Sequence, residues 1–312
     1  MKPTRTGYFF QRNDLIAGTR KLREQRAGLI MRWRTERRSE NIEDRRSLGP
    51  AGAAIGGIGL VIVLVLALVF GINPLPFLLG TATQGGSEQS MLTEEQQAAL
   101  ADNVSLVLGD TEVTWSGIFR EQLNRTYTDP GLVLFTGSVD SACGYTTAAV
   151  GPFYCPDDRK VYLDLDFFYD LQNEYGASGD FARAYVIAHE VGHHVQNLLG
   201  VLPVVDAEEA NSSDVEANRL SVAIELQADC YAGVWANQAS RQNLSLDASD
   251  VHDALNAVSA LGDDRLEMES QGYVVPDSFT HGTSAQREEW FEKGFDTGEV
   301  ASCTNPILPA VA

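Results

Sequence analysis

The sequence predicts a helix-rich α+β domain standing behind a single N-terminal transmembrane helix. Three observations carry that expectation. No charged residue occurs between Arg46 and Glu88. Short runs rich in β-formers, Leu132-Val133-Leu134-Phe135-Thr136 and Val161-Tyr162-Leu163-Asp164-Leu165, lie in the first part of the chain beyond that interval. After residue 181 the apolar residues recur mainly at helical spacing.

Residues 1–50 read as a basic cytoplasmic tail. They hold thirteen Lys/Arg and six Asp/Glu, a net of +7, whereas the chain as a whole carries −20 and residues 51–312 therefore −27. Met31 is either the true start, with residues 1–30 an upstream over-reading, or it follows a genuine basic tail. Residues 51–79 read as the transmembrane segment. Ile55 to Ile72 is almost wholly apolar, and about eighteen to twenty such residues, rising about 1.5 Å each, span a bilayer. A cleaved signal peptide is not expected with some fifty residues in front. Arg32, Arg34, Arg37, Arg38, Arg45 and Arg46 crowd the N-terminal flank. The positive-inside rule puts that flank in the cytoplasm and the rest outside the inner membrane, and the arginines also suit anionic headgroups. The acidic remainder argues against nucleic acid as a partner. Gly52 and Gly56 form a G-x-x-x-G, read as ordinary small residues of a membrane helix rather than a dimer face. Oligomeric state is left open.

Residues 80–102 read as a linker, since Gly80 to Ser90 is rich in Gly, Thr, Ser and Gln. The domain is placed at 103–305, enough for one substantial core, and 306–312 form a tail. Asp110 to Arg125 is expected to be helical, and Gly144 to Tyr154 to fold back as a hairpin. Strands ahead of a long helix suit a zincin-like arrangement, in which a sheet backs the helix and offers an edge to an extended peptide.

That helix carries the chemistry. His189-Glu190-Val191-Gly192-His193 follows the turn-like Gly176 to Asp180 and an apolar stripe from Phe181 to Ile187. Residues four apart share a helix face, so His189 and His193 can offer two imidazole nitrogens to one cation. Glu190 points off that axis, within reach of a water. Two neutral nitrogens suit Zn²⁺ with a position open for a water of lowered pKa. The bland reading is a helix with two histidines on a polar face. His194 faces the other way and reads as structural; Gly200 to Asn211 reads as a loop beside the site.

Downstream, Leu220 to Trp235 has helical periodicity, with Glu225 and Asp229 on one face. Two acids inside an apolar helix are costly without partners. A metal for Glu225 and a histidine N–H for Asp229 would satisfy both; the alternative is a solvated acidic stripe. Further on, Thr283 or Ser284 would cap a helix through Trp290 and Phe291. That puts His281 in the entering loop and Arg287 one turn inside. His281 either donates to a developing oxyanion or merely closes the loop. His252 reads as a surface helix residue. The four cysteines all come after the apolar stretch and fit an oxidising compartment. Cys143 with Cys155, and Cys230 with Cys303, is one of three possible connectivities.

From Asp110 to Leu199, and again through Glu225 to Asp229 and Gln271 to Ser284, the chain resembles the bacterial neutral zinc metallopeptidase family, the likeness starting near Met31 and running to about Cys303. More remotely, the H-E-x-x-H, E-x-x-x-D and H-x5-R series resembles membrane-bound gluzincin peptidases. The resemblance implies His189, His193 and Glu225 as metal ligands, Glu190 as general base, and Asp229, His281 and Arg287 in support. It differs from the prenyl proteases of that group in having one apolar span, which argues against a lipidated substrate. The expected protein is thus a membrane-anchored zinc endopeptidase acting on extracytoplasmic proteins or peptides. The alternative is a non-catalytic zinc-containing envelope protein that binds a partner.

Overall fold

A computed structural model describes residues 32–33, 37–47, 90–242, 244–246 and 248–308. The expected membrane span lies outside the described residues, and no described helix is long and apolar enough to cross a membrane. In chain order the elements are β1 (Ile42–Asp44), α1 (Glu94–Glu121), β2 (Gly131–Phe135), β3 (Ser138–Ser141), β4 (Gly144–Thr147), β5 (Phe153–Cys155), β6 (Lys160–Asp164), α2 (Asp166–Asn173) and α3 (Asp180–Leu199). Next come α4 (Val201–Glu209), α5 (Asp214–Gln242), α6 (Ala248–Ala260), α7 (Asp263–Gln271) and α8 (Ser284–Thr297). The domain is helix-rich α+β, as its periodicity predicts.

The main sheet has the order β1-β2-β6-β5. Strands β1, β2 and β6 run parallel, with Glu43 opposite Val133 and Leu132 opposite Val161, while β5 is antiparallel to β6. Strands β2 and β6 read as apolar runs because both of their faces are buried. Leu132, Leu134, Val161 and Leu163 face the helical core. Val133, Phe135 and Tyr162 face a smaller cluster with Val139 and Cys155. Both strands start one residue earlier than their sequence pattern suggested.

The helical layer is built on α3, α5 and α8. Trp235 of α5 stacks on Phe181 of α3, 5.9 Å between centroids, and its indole N–H donates to Asp110 Oδ1 of α1 at 2.9 Å. Burying aromatic and aliphatic side chains of this size is worth about 1.5–3 kcal/mol each. A Cβ on Gly294 of α8 would lie 1.9 Å from Cys230 O of α5, and one on Gly233 would lie 2.1 Å from Phe291 O. The two helices therefore meet backbone to backbone. Disulfides join Cys230 to Cys303 and Cys143 to Cys155, leaving no free cysteine.

Four features depart from the sequence reading. Helix α1 begins at Glu94, inside the stretch read as linker, because Thr93 and Gln96 form a capping box. The hairpin pairs Ser138–Ser141 with Gly144–Thr147, so the chain reverses at Ala142-Cys143, not within Gly144 to Tyr154. Residues 201–209 are a helix rather than a loop: Gly200 ends α3 in the left-handed region, and Val201, Leu202 and Val205 are buried at helical spacing. Residues 37–47, read as part of a tail across a membrane, are instead part of the domain through β1. Ile42-Glu43-Asp44 is too short and too polar to register as a strand; pairing to β2 supplies what its pattern lacks.

Candidate active site

Helix α3 is held by the buried stripe Phe181, Ala184, Tyr185, Ala188, Val191 and Val195, which turns His189 and His193 toward α5. The approach of the two helices depends on Gly192. A Cβ there would lie 2.9 Å from Ala228 O, so a larger residue would push Glu225 and Asp229 away from the histidines.

The donors converge. One ligand atom from each of His189, His193 and Glu225 lies within 4.8 Å of the others. His189 Nε2 is 3.1 Å from Glu225 Oε2, and His193 Nε2 is 3.3 Å from Glu225 Oε1. The remaining ring nitrogens are held from behind. His189 Nδ1 is 2.8 Å from Asp229 Oδ1, and His193 Nδ1 is 2.9 Å from Gln196 Oε1. Asp229 is paired with Arg287 and so accepts only. The Gln196 amide nitrogen donates to Ile224 O and Gln227 Oε1, which leaves its oxygen as acceptor. Both Nδ1 atoms therefore carry the proton, and both Nε2 lone pairs face the shared space.

The electrostatics ask for a cation there. Burial opposes an imidazolium at His189, yet Asp229 and Glu225 outweigh it and push the ring up to about 10: the site favours a positive charge at Nε2, which a bound cation would supply in place of a proton. Burial would raise Glu225, but His193 and His189 hold its carboxyl well below the ordinary range. Two neutral nitrogens and a carboxylate form a donor set that fits Zn²⁺ and leaves a coordination position for water. Glu190 is 7% exposed, and burial pushes its carboxyl up against the opposing pull of both histidines. It lines the same cleft of about 730 Å³ as the three donors, His281 and Arg287.

Behind His189 lies a closed network. Arg287 is 3% exposed; its Nε donates to Asp229 Oδ2 at 2.8 Å and its Nη2 to Oδ1 at 3.0 Å. Nη1 donates to Leu261 O at 3.0 Å and Nη2 also to the Tyr185 hydroxyl at 3.1 Å. The Tyr185 hydroxyl in turn donates to Asp229 Oδ1. Arg287 sits one turn into α8, whose N-terminus is capped by Thr283 with Gln286. Burial would raise Asp229, but Arg287 and His189 keep it below the usual carboxylate range.

His281 stands in the loop before α8. Its Nδ1 is 3.1 Å from Asp263 Oδ1. Asp263 Oδ2 accepts the backbone N–H groups of Thr280, His281 and Gly282 at 2.8, 2.6 and 2.9 Å. His194 belongs elsewhere: it is fully buried, with Nε2 2.6 Å from Thr128 O and Nδ1 2.9 Å from the Tyr154 hydroxyl, and burial holds it down at about 4. His252 is an exposed residue of α6.

The structure thus brings His189, Glu190, His193, Glu225, His281 and Arg287 into one cleft, with Asp229 behind His189. It adds Tyr185, Gln196 and Asp263, which the sequence reading missed. Tyr185 and Gln196 stand four before His189 and three after His193, spacings that place them beside those rings on one helix.

This donor set, with a carboxylate beside the first donor that has no hydrogen-bond partner among the described residues, is the one that a zinc metallopeptidase requires. The chain belongs to the family described as "Putative neutral zinc metallopeptidase", whose model matches residues 31–305. It is 47% identical over 284 residues to "Uncharacterized protein YpfJ" of Escherichia coli K12, covering 88% of this chain and 98% of that protein. It is 46% identical over 187 residues to "Uncharacterized protein Rv2575" of Mycobacterium tuberculosis H37Rv, covering 57% of this chain and 62% of that one. No solved structure matches it.

Proposed function

We propose that this protein is a membrane-attached zinc endopeptidase acting on extracytoplasmic proteins or peptides. The observation that carries the reading is the convergence of His189, His193 and Glu225 within 4.8 Å on a cleft that also holds Glu190. His189, His193 and Glu225 would hold a zinc ion, which when bound would supply Lewis-acid polarisation of the scissile carbonyl and a water of lowered pKa. Glu190 removes a proton from the attacking water and returns it to the departing amine. His281, its Nδ1 turned to Asp263, directs Nε2 at the carbonyl oxygen as charge develops there. Asp229, gripped by Arg287 and Tyr185, positions His189 and takes no direct part. The overall change is addition of water across one amide, which leaves a carboxylate and an amine.

Strand β5 gives the substrate a seat. It is an edge strand of the sheet, and Phe153 and Tyr154 line the cleft with the donors. An extended peptide can add along that edge and pass over the triad. Two disulfides support an oxidising location, and membrane attachment rests on the uncharged stretch between Arg46 and Glu88. A purely structural zinc site is closed by four protein ligands and has no use for a carboxylate such as Glu190.

The test is Glu190→Gln in the full chain. One zinc per chain should remain, the melting transition should be preserved, and hydrolysis of a diverse peptide library should fall by at least about a hundredfold. A zinc-loaded wild-type protein that cleaves nothing in that library would favour the non-catalytic, partner-binding reading.

A further inference from the structure

The chain ahead of the uncharged stretch is built into the domain that comes after it. Arg32–Trp33 pair antiparallel with Leu244–Ser245, and β1 pairs parallel with β2. Between these pairings, residues 37–41 lie across α1. Ser39 N–H donates to Ser105 O at 2.9 Å. Ser39 Oγ and Asn41 Nδ2 donate to Glu112 Oε1 at 2.5 and 2.7 Å, and Arg37 donates to Oε2 at 3.1 Å. Glu112 is 1% exposed, so without these donors α1 would bury an unpartnered carboxylate.

Gly109 is a second, independent sign. A Cβ there would lie 2.8 Å from Arg37 O and 2.9 Å from Ser39 N. A glycine in the middle of a 28-residue helix costs helix stability. Here it makes room for the N-terminal segment to cross. The part of the sequence after the uncharged stretch therefore carries an imprint of the part before it.

Both ends of the stretch also leave from one end of the sheet. Just past β1, Arg45 N–H donates to Leu134 O and Arg46 Nη1 to Gln97 O in the first turn of α1 at 3.3 Å. Ser90 Oγ donates to Asp166 Oδ1 at 2.5 Å, two residues past the end of β6. A single crossing would put β1 and β2 on opposite sides of about 30 Å of hydrocarbon. Hydrogen-bonded strands lie about 4.8 Å apart.

We infer that no membrane separates the two flanks of the uncharged stretch: residues 37–47 and 90–308 lie on the same side. This rests on the membrane attachment proposed above, but not on the peptidase activity. The lipid surface is favoured as the occupant by composition, since no charge falls between Arg46 and Glu88. The arginine bias and the disulfides assign opposite compartments to the two flanks, and one side must serve for both. With all four cysteines paired, that side is the oxidising one.

Single cysteines introduced at Glu40 (exposed) and at Met268 (52% exposed) test the sidedness in the full chain, in spheroplasts treated with a membrane-impermeant maleimide. Glu40→Cys and Met268→Cys should both label before permeabilisation. Both shielded until permeabilisation would keep the same-side inference and remove the extracytoplasmic location. One labelled and one shielded would overturn the inference. Alkaline carbonate should leave the protein in the membrane pellet; full release would overturn the membrane attachment on which the inference rests. Gly109→Ala gives a readout independent of labelling. It should lower the melting temperature if the segment crosses α1, and raise it, through helix propensity, if that face is bare; a rise would overturn the inference.

Discussion

His189 and His281 each lean on an aspartate through Nδ1, at 2.8 Å on Asp229 and 3.1 Å on Asp263, but in different surroundings. The first pair is sealed: the side chains are 9% and 0% exposed, and Asp229 is satisfied by the side chains of Arg287 and Tyr185. The second is open on one side: the His281 side chain is 50% exposed, and Asp263 is satisfied by three backbone N–H groups of the His281 loop. A sealed pair fixes one tautomer and one ring orientation, which suits a metal ligand. An open pair can change protonation at working pH and can yield to a substrate, which suits a group meeting the reaction from solvent. The same two residue types are thus suited to different work according to what surrounds the carboxylate.

The strongest way to break this comparison is Asp229→Ala. It strands Arg287 in the interior and frees the His189 ring. Breaking a buried ion pair from one side costs about 3–5 kcal/mol, and loss of an outer-shell partner lowers metal affinity about 10–100-fold. Chemical denaturation and competitive zinc titration should show both. His189→Ala and Glu225→Ala should lose most of the bound zinc outright, measured as metal per chain. Retention of wild-type stability and zinc by Asp229→Ala would mean that the sealed network is not what holds the ligand.

A smaller effect is expected from Tyr185→Phe. The change deletes a donor to Asp229 and an acceptor for Arg287 while keeping the ring that packs on Phe291 at 5.7 Å. Hydrogen bonds to charged groups contribute about 1.5–3 kcal/mol, so stability should fall by about 2 kcal/mol. Zinc should stay bound, because the Arg287–Asp229 fork remains. An unchanged denaturation midpoint would show that the fork alone is sufficient.

How far the sequence disclosed this site is explained by the same contrast. Glu225 and Asp229 were legible because acids inside an apolar helix need a reason to be there. The H-E-x-x-H spacing needs only the geometry of one helix. Asp263 was not legible: after Gly262 and before Asp264 it has the look of an ordinary acidic first turn, and its bonds to Thr280, His281 and Gly282 span seventeen to nineteen residues. Strands β2 and β6 announced themselves by continuous apolar runs, whereas β1 did not, since its pairing and the Glu112 cluster are tertiary. The α4 helix was not legible, residues 200–211 being read as a loop; its Pro203 stands in the first turn, where proline is tolerated.

The smallest and most specific effect belongs to the open pair. The bond to Asp263 raises the His281 pKa; burial opposes it, Glu225 adds to it and Arg287 subtracts from it. Burial would raise Asp263, but its bonds to His281 keep it below the ordinary range. A raised histidine contributes stability that is fully present below its unfolded pKa of about 6.5 and lost as pH climbs through the folded value. A depressed aspartate contributes stability present above about 3.9 and lost as pH falls through its folded value. The pair therefore stabilises most between about pH 4 and 6.5. With half of the imidazole in solvent, the share of the Asp263→Asn effect that comes from the His281 pair should be no more than about 1 kcal/mol there and progressively less at alkaline pH, with zinc content unchanged. Its effect on activity is a displacement of the pH profile. If protonated His281 donates to the carbonyl oxygen, activity falls as pH passes its pKa, and without the Asp263 carboxylate that fall begins at lower pH. His281→Gln should lose the alkaline limb altogether while still binding zinc. An alkaline limb left in place by Asp263→Asn would assign it to another group, and His281 would then be a loop residue whose bond to Asp263 serves only the fold.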